Sequence, residues 1–538
     1  MAPLGKSRAL VFHYLLEEHA RRTPGKPCLV MRERVLSYAD VEDAANRWAR
    51  GLAAHGIGKG DRVLLMIPSG IDHVMIWLGL CKLGALMVPV NEAYMGSMLR
   101  HQVNDSGAAF AIVWERHLPV WSALDGALPG LATIAVYPNA SPGQIADAGW
   151  TYLSAADLPS ADGSAMPPAV EYFDPMAVFY TSGTSGPSKG VLYGYAQAHA
   201  TAALTASLCE PSDVFYMFLP MFHVGLSNIF GIVVIAGATM AIREKFSASE
   251  FWPDVRRYHA TFTILLSTMP NFLLAQPPRA DDHNHPLRKL IVIPLPTELE
   301  TFKSRFGGAV TTWYNMTEVS MPLRPDGFRL ANGTSCGRPR PGIFARIVDA
   351  NDEATPQGET GELVLRADDP WEFCLGYWRN PEKTVEAWRN QWLHTGDAFR
   401  VDEHGDYYFM DRLKDVIRRR GENISSFEVE AEVEAHPAVL ECAAVAVPSL
   451  FGEDEILLVA TLKPGAALTP AGLHGHLSER LPAYMVPQFI ELRQDELPKT
   501  PTGKIMKATL REAGTAGAWA FEDKTGGRPT AATGRKSP

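Results

Sequence analysis

Residues 180–190 read YTSGTSGPSKG and place three glycines, two threonines, three serines and one lysine within eleven residues. Successive backbone N–H groups, hydroxyls and a cation form a concavity that binds anions, so this composition is typical of a phosphate-binding loop. The Walker A pattern requires Ser or Thr directly after its lysine, whereas Gly190 follows Lys189 here. The stretch is therefore not a P-loop, and two alternatives remain: a different phosphate-binding loop or a flexible surface turn.

The length and composition predict a large globular protein. The chain has 538 residues, of which 46% are hydrophobic, enough to bury more than one core. Acidic residues outnumber basic ones by 60 to 50, and the net charge is −10. This balance provides no broad positive field, so we do not expect nucleic acid as a partner.

The cysteines and the apolar segments indicate a cytoplasmic protein. The six cysteines are scattered without a C-x-x-C pair, which predicts reduced thiols. The N-terminus lacks the pattern of a secretory signal, and the longest apolar stretch, near 229–242, is too short to span a bilayer. We therefore expect a cytoplasmic location and no membrane partner.

Strand-like and helix-like segments alternate along the first half of the chain. Residues 36–60 have helical apolar spacing from about Val41, with Ser37 or Asp40 as a cap. Alternation of this kind predicts an α/β fold with largely parallel sheets. The strand-like runs are 62–67, 85–90, 108–113 and 261–266.

The pattern changes in the second half, and this change suggests the domain boundaries. Brief strands separated by turn residues begin near 343 and predict a more antiparallel segment. We expect a large N-terminal domain at 1–410 and a small α+β domain at 411–513. The tail at 514–538 is rich in Gly, Ala and Thr and has little to bury, so we expect it to be disordered.

Several chemically capable residues lie outside the opening loop, but each is ambiguous alone. Tyr314 is able to stack on a base, Thr317 to bond phosphate, and Glu318 to hold Mg²⁺ through oxygen. Asp397 suits ribose hydroxyls but is equally common as a turn cap. Lys504 lies in a Pro/Gly turn, where most lysines are simply solvated.

Taken together and in order, these segments resemble a known family. The loop at 180–190 is followed by LPMFH (219–223), YNMTE (314–318), TGD (395–397), DRLKD (411–415) and PTGK (501–504). This series is similar to that of the adenylate-forming superfamily of acyl-CoA synthetases, luciferases and peptide-synthetase adenylation domains. The resemblance runs from about Val11 to Leu510. Segments 244–252, 273–282 and 418–430 most resemble the carnitine/crotonobetaine-CoA ligase branch.

The resemblance implies a two-step reaction that uses ATP, Mg²⁺ and coenzyme A. A carboxylate attacks the α-phosphate of ATP to give an acyl-adenylate and pyrophosphate, and the thiol of CoA then displaces AMP. The implied fold is a large domain of two doubly wound α/β subdomains plus a small distorted β-barrel, followed by a small mobile α+β domain. On this basis we expect an AMP-forming acid–thiol ligase.

The resemblance also implies a role for individual residues. The β- and γ-phosphates would be held by Thr181, Ser182, Gly183, Thr184, Ser185 and Lys189. Tyr314 would stack on adenine, Thr317 would contact the α-phosphate, and Glu318 would bind the metal. Asp397 and Arg412 would hold the ribose, and Lys504 would bridge the carboxylate and the α-phosphate. His223, Asn315 and Met316 would line the acid site, and His223 would also gate thiol entry.

The small domain is expected to rotate between the two half-reactions. Lys414 is in the hinge position, Lys504 is needed inside for adenylation, and Arg418, Arg420 and Gly421 lie in the loop that replaces it for thioester formation. This is domain alternation on a hinge.

Two departures from the family pattern leave alternatives open. The segment IVIPLP (291–296) replaces a Gly/Ala-rich stretch against adenine, and Asn315 replaces a glycine, so the enzyme either adenylates normally or mainly uses a preformed adenylate. Asn315 either reaches the acid or bonds its own backbone. A carrier protein or an amine as the acyl acceptor, and a non-catalytic nucleotide-binding protein, are the competing functions. The carboxylic acid itself is not encoded in any motif.

Overall fold

The computed structural model describes residues 2–124, 128–139, 149–167, 169–181, 188–266, 269–296, 298–330, 334–412, 417–419, 422–424, 426–448, 454–481, 483–500 and 503–521. For residues 2–4, 412, 418, 422, 423 and 428, it describes the backbone alone. All structural statements below concern these residues.

The described residues form fifteen α-helices. They are α1 (Ala2–Leu10), α2 (Phe12–Arg22), α3 (Tyr38–Ala54), α4 (Ile71–Leu83), α5 (Gly96–Ser106), α6 (Leu118–Ser122), α7 (Tyr195–Ala206), α8 (Gly225–Ala236), α9 (Ala248–Arg257), α10 (Met269–Leu274), α11 (Leu299–Phe306), α12 (Pro381–Ala387), α13 (Ser426–Glu434), α14 (Pro470–Ser478) and α15 (Lys507–Ala513). Every helix in the described ranges is too short or too polar to cross a bilayer.

The same ranges contain twenty-six strands. They are β1 (Pro27–Met31), β2 (Arg34–Ser37), β3 (Arg62–Met66), β4 (Leu86–Pro89), β5 (Phe110–Trp114), β6 (Thr133–Tyr137), β7 (Thr151–Ser154), β8 (Pro175–Thr181), β9 (Lys189–Gly194), β10 (Val214–Met217), β11 (Thr239–Ile242), β12 (Phe262–Leu266), β13 (Lys289–Ile293), β14 (Ala309–Thr311), β15 (Leu323–Arg324), β16 (Arg338–Pro339), β17 (Ile343–Val348), β18 (Gly361–Ala367), β19 (Leu393–Val401), β20 (Tyr407–Arg412), β21 (Ile417–Arg419), β22 (Glu422–Ile424), β23 (Val439–Pro448), β24 (Asp454–Leu462), β25 (Phe489–Arg493) and β26 (Trp519–Ala520).

Two seven-stranded sheets form the large body. The first has the order β7-β6-β5-β3-β4-β8-β9, and the second has the order β14-β13-β12-β10-β11-β1-β2. Both are parallel except at one edge, where β9 and β2 run antiparallel to their neighbours. The predicted α/β fold with largely parallel sheets is confirmed, and the four predicted strands appear as β3, β4, β5 and β12.

Helices packed between the sheets join them into one core. Along α4, apolar residues are buried all round, which is typical of an internal helix. Trp77 of α4 meets Phe230 of α8 edge-on, with ring centroids 5.4 Å apart. At Gly79, a Cβ would lie only 2.7 Å from the Cβ of Trp48 on α3, so glycine is what allows these two helices to touch. A shared core fixes the carboxyl ends of both sheets relative to each other.

An antiparallel sheet follows in the order β17-β18-β19-β20, as the brief strands after residue 343 predicted. Residues 336–337, just before β16, bond to β20. The Cys336 N–H donates to the Tyr407 carbonyl and the Tyr407 N–H donates to the Gly337 carbonyl, both at 2.8 Å. Residues 336–337 therefore pair with β20 at the edge of the sheet, which fits the small distorted barrel that the resemblance implies.

The C-terminal part, from β21 to β26, forms a small body with a core of its own. The sheet β23-β24-β25-β26 packs with α13 and α14 around Val429, Val433, Leu458 and Leu473. Its core residues begin at Ile417, whereas β20 of the preceding sheet runs to Arg412, and the boundary at residue 411 stays a prediction.

The expected disorder from Gly514 is wrong for residues 514–521. Trp519–Ala520 pairs with β25, and Phe521 stacks on His474 with ring centroids 4.0 Å apart. The two aromatic residues supply apolar surface that the Gly-rich composition of the tail concealed. Residues 522–538 lie outside the described part.

The start of α3 provides a test of the helix prediction. Ser37 caps it: its side chain accepts from the Asp40 N–H, and the Asp40 carboxylate accepts from the Ser37 N–H at 2.8 Å. We expect Ser37→Ala to lower the free energy of unfolding of the large body by about 1 kcal/mol, measured from the denaturant midpoint. Ser247→Ala is the matched control, because Ser247 precedes α9 without a side-chain cap bond. Equal losses in both variants would contradict the capping argument.

Candidate active site

Two antiparallel strands of the first sheet, β8 and β9, flank the predicted phosphate loop. Strands β8 and β9 bring Thr181 opposite Lys189, and the Thr181 hydroxyl donates to the Lys189 carbonyl at 3.4 Å. Ser182, Gly183, Thr184 and Ser185 lie outside the described residues. The structure therefore places the two ends of the predicted phosphate loop side by side.

A later segment, 376–378, extends this sheet beyond β9. The Leu192 N–H donates to the Gly376 carbonyl at 2.9 Å, and the Trp378 N–H donates to the Gly190 carbonyl at 2.7 Å. These bonds place Tyr377 beside β9, the strand that follows the phosphate loop.

Tyr377 joins two predicted site residues that come from different sheets. The Lys189 Nζ lies 5.4 Å from the centre of its ring. Its hydroxyl donates to Glu318 Oε1 at 2.9 Å. Glu318 follows β14 of the second sheet and is buried. Sequence reasoning missed Tyr377, because a single aromatic residue in a Gly/Asn-flanked run has no diagnostic spacing.

Two buried polar side chains clamp the backbone around Glu318. Gln197 of α7 donates from Nε2 to the Thr317 carbonyl at 2.9 Å and to the Val319 carbonyl at 3.3 Å. Arg340 donates to Ser320 Oγ at 2.9 Å and pairs with Glu372 at 2.8 Å. The loop is thus held on both sides of its carboxylate, and neither clamp was identified from the sequence.

Tyr314 and Asp397, which were predicted on adenine and ribose respectively, are in direct contact. The Tyr314 hydroxyl donates to Asp397 Oδ2 at 2.6 Å, and both residues are buried. The Tyr314 ring meets Phe399 edge-on at 4.9 Å. Asp397 pairs with Arg412 in the register of β19 and β20, so the two predicted ribose residues occupy adjacent strands.

Asn315 contacts its own loop. Its Oδ1 accepts a hydrogen bond from the Met321 N–H at 2.7 Å, and Met321 has the left-handed φ of 45°. The bond supports the alternative in which the amide stabilises an unusual backbone turn. Met316 lies nearby, with its sulfur 3.6 Å from the Tyr314 hydroxyl.

His223 precedes α8 and packs beside Phe222, with ring centroids 4.6 Å apart. Burial lowers the pKa of its imidazole to about 4. The ring is therefore neutral near pH 7.

Strands β13 and β14 are parallel neighbours, so residues after their carboxyl ends meet at one edge. Ile293 ends β13 and Pro294 follows it. The segment 291–296 and the loop that carries Glu318 therefore leave the sheet at the same edge, and the position of 291–296 against adenine stays a prediction.

Lys504 is exposed near the tip of a hairpin in the small body. Lys499 bridges to Ile505, and the Thr500 N–H donates to the Lys504 carbonyl at 2.7 Å. At the base, the Lys499 Nζ lies 5.3 Å from the ring centre of Phe272, which belongs to α10 of the large body. The hairpin therefore faces the large body. Arg418 lies on β21 and is described by its backbone only, and Lys414, Arg420 and Gly421 lie outside the described residues.

Comparison with known proteins defines the class of this site. The family model described as AMP-binding enzyme matches residues 16–378, and the model for the AMP-binding enzyme C-terminal domain matches residues 428–504. The chain belongs to the AMP-binding enzymes.

Within this family the similarity is to CoA ligases. The chain is 31% identical over 490 residues to a crotonobetaine/carnitine–CoA ligase of Salmonella enteritidis PT4, covering 89% of this chain and 93% of that one. The anthranilate CoA ligase AuaEII in complex with anthranoyl-AMP matches with a TM-score of 0.85 and 26% identity, covering 95% of this chain and 99% of that one. ATP-bound MatB from Rhodopseudomonas palustris matches with a TM-score of 0.79 and 25% identity, covering 94% and 99%. The predictions of an adenylate-forming enzyme and of an AMP-forming acyl-CoA ligase are confirmed.

The Gln197 clamp can be tested with a matched variant. Gln197→Leu leaves the carbonyls of Thr317 and Val319 without their donor, which costs about 1–3 kcal/mol of stability. A displaced Glu318 should also lower the rate of acid-dependent ATP consumption by about tenfold or more. Gln102→Leu removes another buried amide, one that donates to the Pro89 carbonyl at 2.9 Å, and should cost similar stability with activity kept. Parallel losses in both variants would show that Gln197 is only structural.

The depressed pKa of His223 predicts a pH dependence. Since the folded-state pKa of about 4 lies below the ordinary 6.5, the unfolded chain binds the proton more readily. The stability contribution is complete above about pH 6.5 and is lost as pH falls toward 4. We expect His223→Asn to reduce the slope of unfolding free energy against pH, between pH 6 and 4.5, by up to about 1.4 kcal/mol per unit. His404→Asn, at an exposed histidine, is the control, and an unchanged slope in His223→Asn would contradict the assignment.

Proposed function

We propose that this site joins a small carboxylic acid to CoA in two steps. In the first, a carboxylate oxygen attacks the α-phosphorus of ATP and the bond to the β-phosphate breaks, which gives an acyl-adenylate and pyrophosphate. In the second, the sulfur of CoA attacks the acyl carbon, loses its proton, and AMP leaves. The contact of Tyr377 with both Lys189 and Glu318 carries this proposal, because it brings a phosphate-loop cation beside a buried carboxylate.

The phosphate end of the site is the β8–β9 pair. Lys189 supplies positive charge for the leaving pyrophosphate, and Thr181 supplies a hydroxyl at the other side of the loop. We assign the same task to Ser182, Gly183, Thr184 and Ser185. Charge-assisted bonds to phosphate oxygens are among the strongest hydrogen bonds available to such a loop.

Glu318 fits a Mg²⁺ ion that arrives with the nucleotide. Its carboxylate is a hard oxygen ligand, and Mg²⁺ at nucleotide sites is usually held by one or two carboxylates plus substrate phosphates. Within the described ranges, no group of three or more His, Cys, Asp and Glu side chains could hold a metal. When bound, Mg²⁺ would neutralise phosphate charge. Tyr377, by donating to Oε1, orients the carboxylate for this role.

The nucleoside end is set by Tyr314 and Asp397. Their 2.6 Å hydrogen bond fixes the ring beside the carboxylate, so a base on the ring and a ribose on the carboxylate would belong to one nucleotide. Arg412, on the neighbouring strand, would complete the ribose contacts, and Thr317 would contact the α-phosphate.

The remaining assignments concern the acid, the thiol and the hinge. His223 and Met316 would line the acid site, and neutral His223 would admit the thiol. Arg418, Arg420 and Gly421 would contact CoA after rotation about Lys414. We propose free CoA as the acceptor, because the relatives are named as CoA ligases. Free cysteines support a cytoplasmic location.

The activity can be tested with a panel of acids that includes crotonobetaine, carnitine and anthranilate. The assay measures the release of pyrophosphate and AMP with and without CoA.

Lys504 tests the division between the half-reactions. Its cation would stabilise the charge that develops when the carboxylate meets the α-phosphate, and loss of such a group costs about 10²–10³ in rate. We expect Lys504→Ala to lose acid activation by about that factor and to keep thioester formation from a synthetic acyl-adenylate. Lys463→Ala, on the same body outside the hairpin, should change neither. Equal loss of both half-reactions in Lys504→Ala would contradict the assignment.

A further inference from the structure

A chain of buried and partly buried polar contacts runs from the hairpin of Lys504 to the strand pair that holds Asp397. Lys507 begins α15, three residues after Lys504. Its Nζ donates to Ser426 Oγ and pairs with Glu430 Oε1 at 2.8 Å. The Ser426 hydroxyl in turn donates to Asp411 Oδ2.

Each member of this chain is anchored by a second contact. Asp411 Oδ2 also accepts from the Ser426 N–H at 2.8 Å, and Glu430 Oε1 accepts from the Ala444 N–H at 2.7 Å. Lys507 is continuous with the hairpin, because the Met506 N–H donates to the Pro498 carbonyl at 2.8 Å.

The far end of the chain lies on β20. Asp411 pairs with Ala398 of β19, and Asp397 precedes Ala398 directly. The strand pair that holds Asp397 and the Lys504 hairpin are therefore connected through the side chains of Asp411, Ser426 and Lys507, although they belong to different bodies of the molecule.

The charges favour this arrangement. Lys507 is a cation between two carboxylates, Asp411 and Glu430. Burial raises the pKa of the Glu430 carboxyl, and Lys507 acts in the opposite direction. A single serine hydroxyl donates to one partner and accepts from the other, so a neutral residue in place of Lys507 breaks the chain at its centre.

We propose that Lys507 is a positioning residue for acid activation: through Ser426 and Asp411 it holds the Lys504 hairpin in the orientation in which that hairpin faces the large body. The inference rests on the proposed function for its kinetic effect only. The contacts themselves predict an effect on the hairpin that is measurable without any substrate.

The first test is hydrogen exchange of the free enzyme. In Lys507→Met, the amides of Gly503, Lys504 and Met506 should exchange about tenfold faster than in Arg493→Met. The latter removes another ion pair of the small body, Arg493 with Glu491. Lys507→Arg keeps the cation and should restore slow exchange. Unchanged exchange in Lys507→Met would overturn the proposal whatever the activity.

The second test separates the half-reactions with the best acid of the panel and its synthetic acyl-adenylate. Lys507→Met should slow pyrophosphate release by about 10- to 100-fold and leave thioester formation within about threefold. Ser426→Ala should act in the same direction, and the double variant should be less than additive, since both changes break one chain. Equal loss of both half-reactions would overturn the positioning role. If exchange responds as expected but no acid supports pyrophosphate release by the unaltered chain, the proposed function fails while the structural link stands.

Discussion

The hydrogen bonds from Gln197 to the carbonyls on either side of Glu318 are the constraint on which the site depends. A loop that leaves the edge of a sheet and enters the interior must pair its backbone groups or lose several kcal/mol. Gln197 does this from α7, a helix that follows the phosphate hairpin directly in the chain. The acidic loop is therefore tied to the helix that directly follows β9, and Arg340 and Tyr377, from later parts of the chain, hold it as well.

The second dependence is on the close contact of the two sheets. Parallel strands end at one edge, so each sheet presents its loops in one direction, and the buried helices between the sheets make those directions converge. Gly79, where α4 touches α3, affects the site indirectly, because it allows the helices between the two sheets to pack closely. The antiparallel sheet β17-β18-β19-β20 adds Asp397, and the hydrogen bond from Tyr314 to Asp397 joins this sheet to the loop after β14.

The sequence alone predicted those elements whose signal is local. The β3 strand, the Ser37 cap and the brief strands after residue 343 follow from spacing and turn residues. The expected roles of Glu318, Asp397 and Lys504 came from the order of their motifs, which is a family signal rather than a physical one.

The sequence did not identify Gln197, Tyr377 and Lys507, because each contacts a partner far along the chain. Asn315 shows the opposite limit: its residue type allowed either a contact with the acid or a bond to its own backbone, and its side-chain Oδ1 accepts from the Met321 N–H. Trp519 and Phe521 were hidden by the composition around them.

The added edge at residues 376–378 bears on how the chain is made. Strand β9 is an edge strand of the first sheet, and within the described ranges its outer backbone groups pair with a segment that is synthesised much later. Until that segment emerges, a nascent chain carries an open edge next to a glycine-rich loop, which is the kind of surface that recruits strands from other molecules. Truncated forms that stop before residue 376 should therefore expose this edge and aggregate more readily than the full chain.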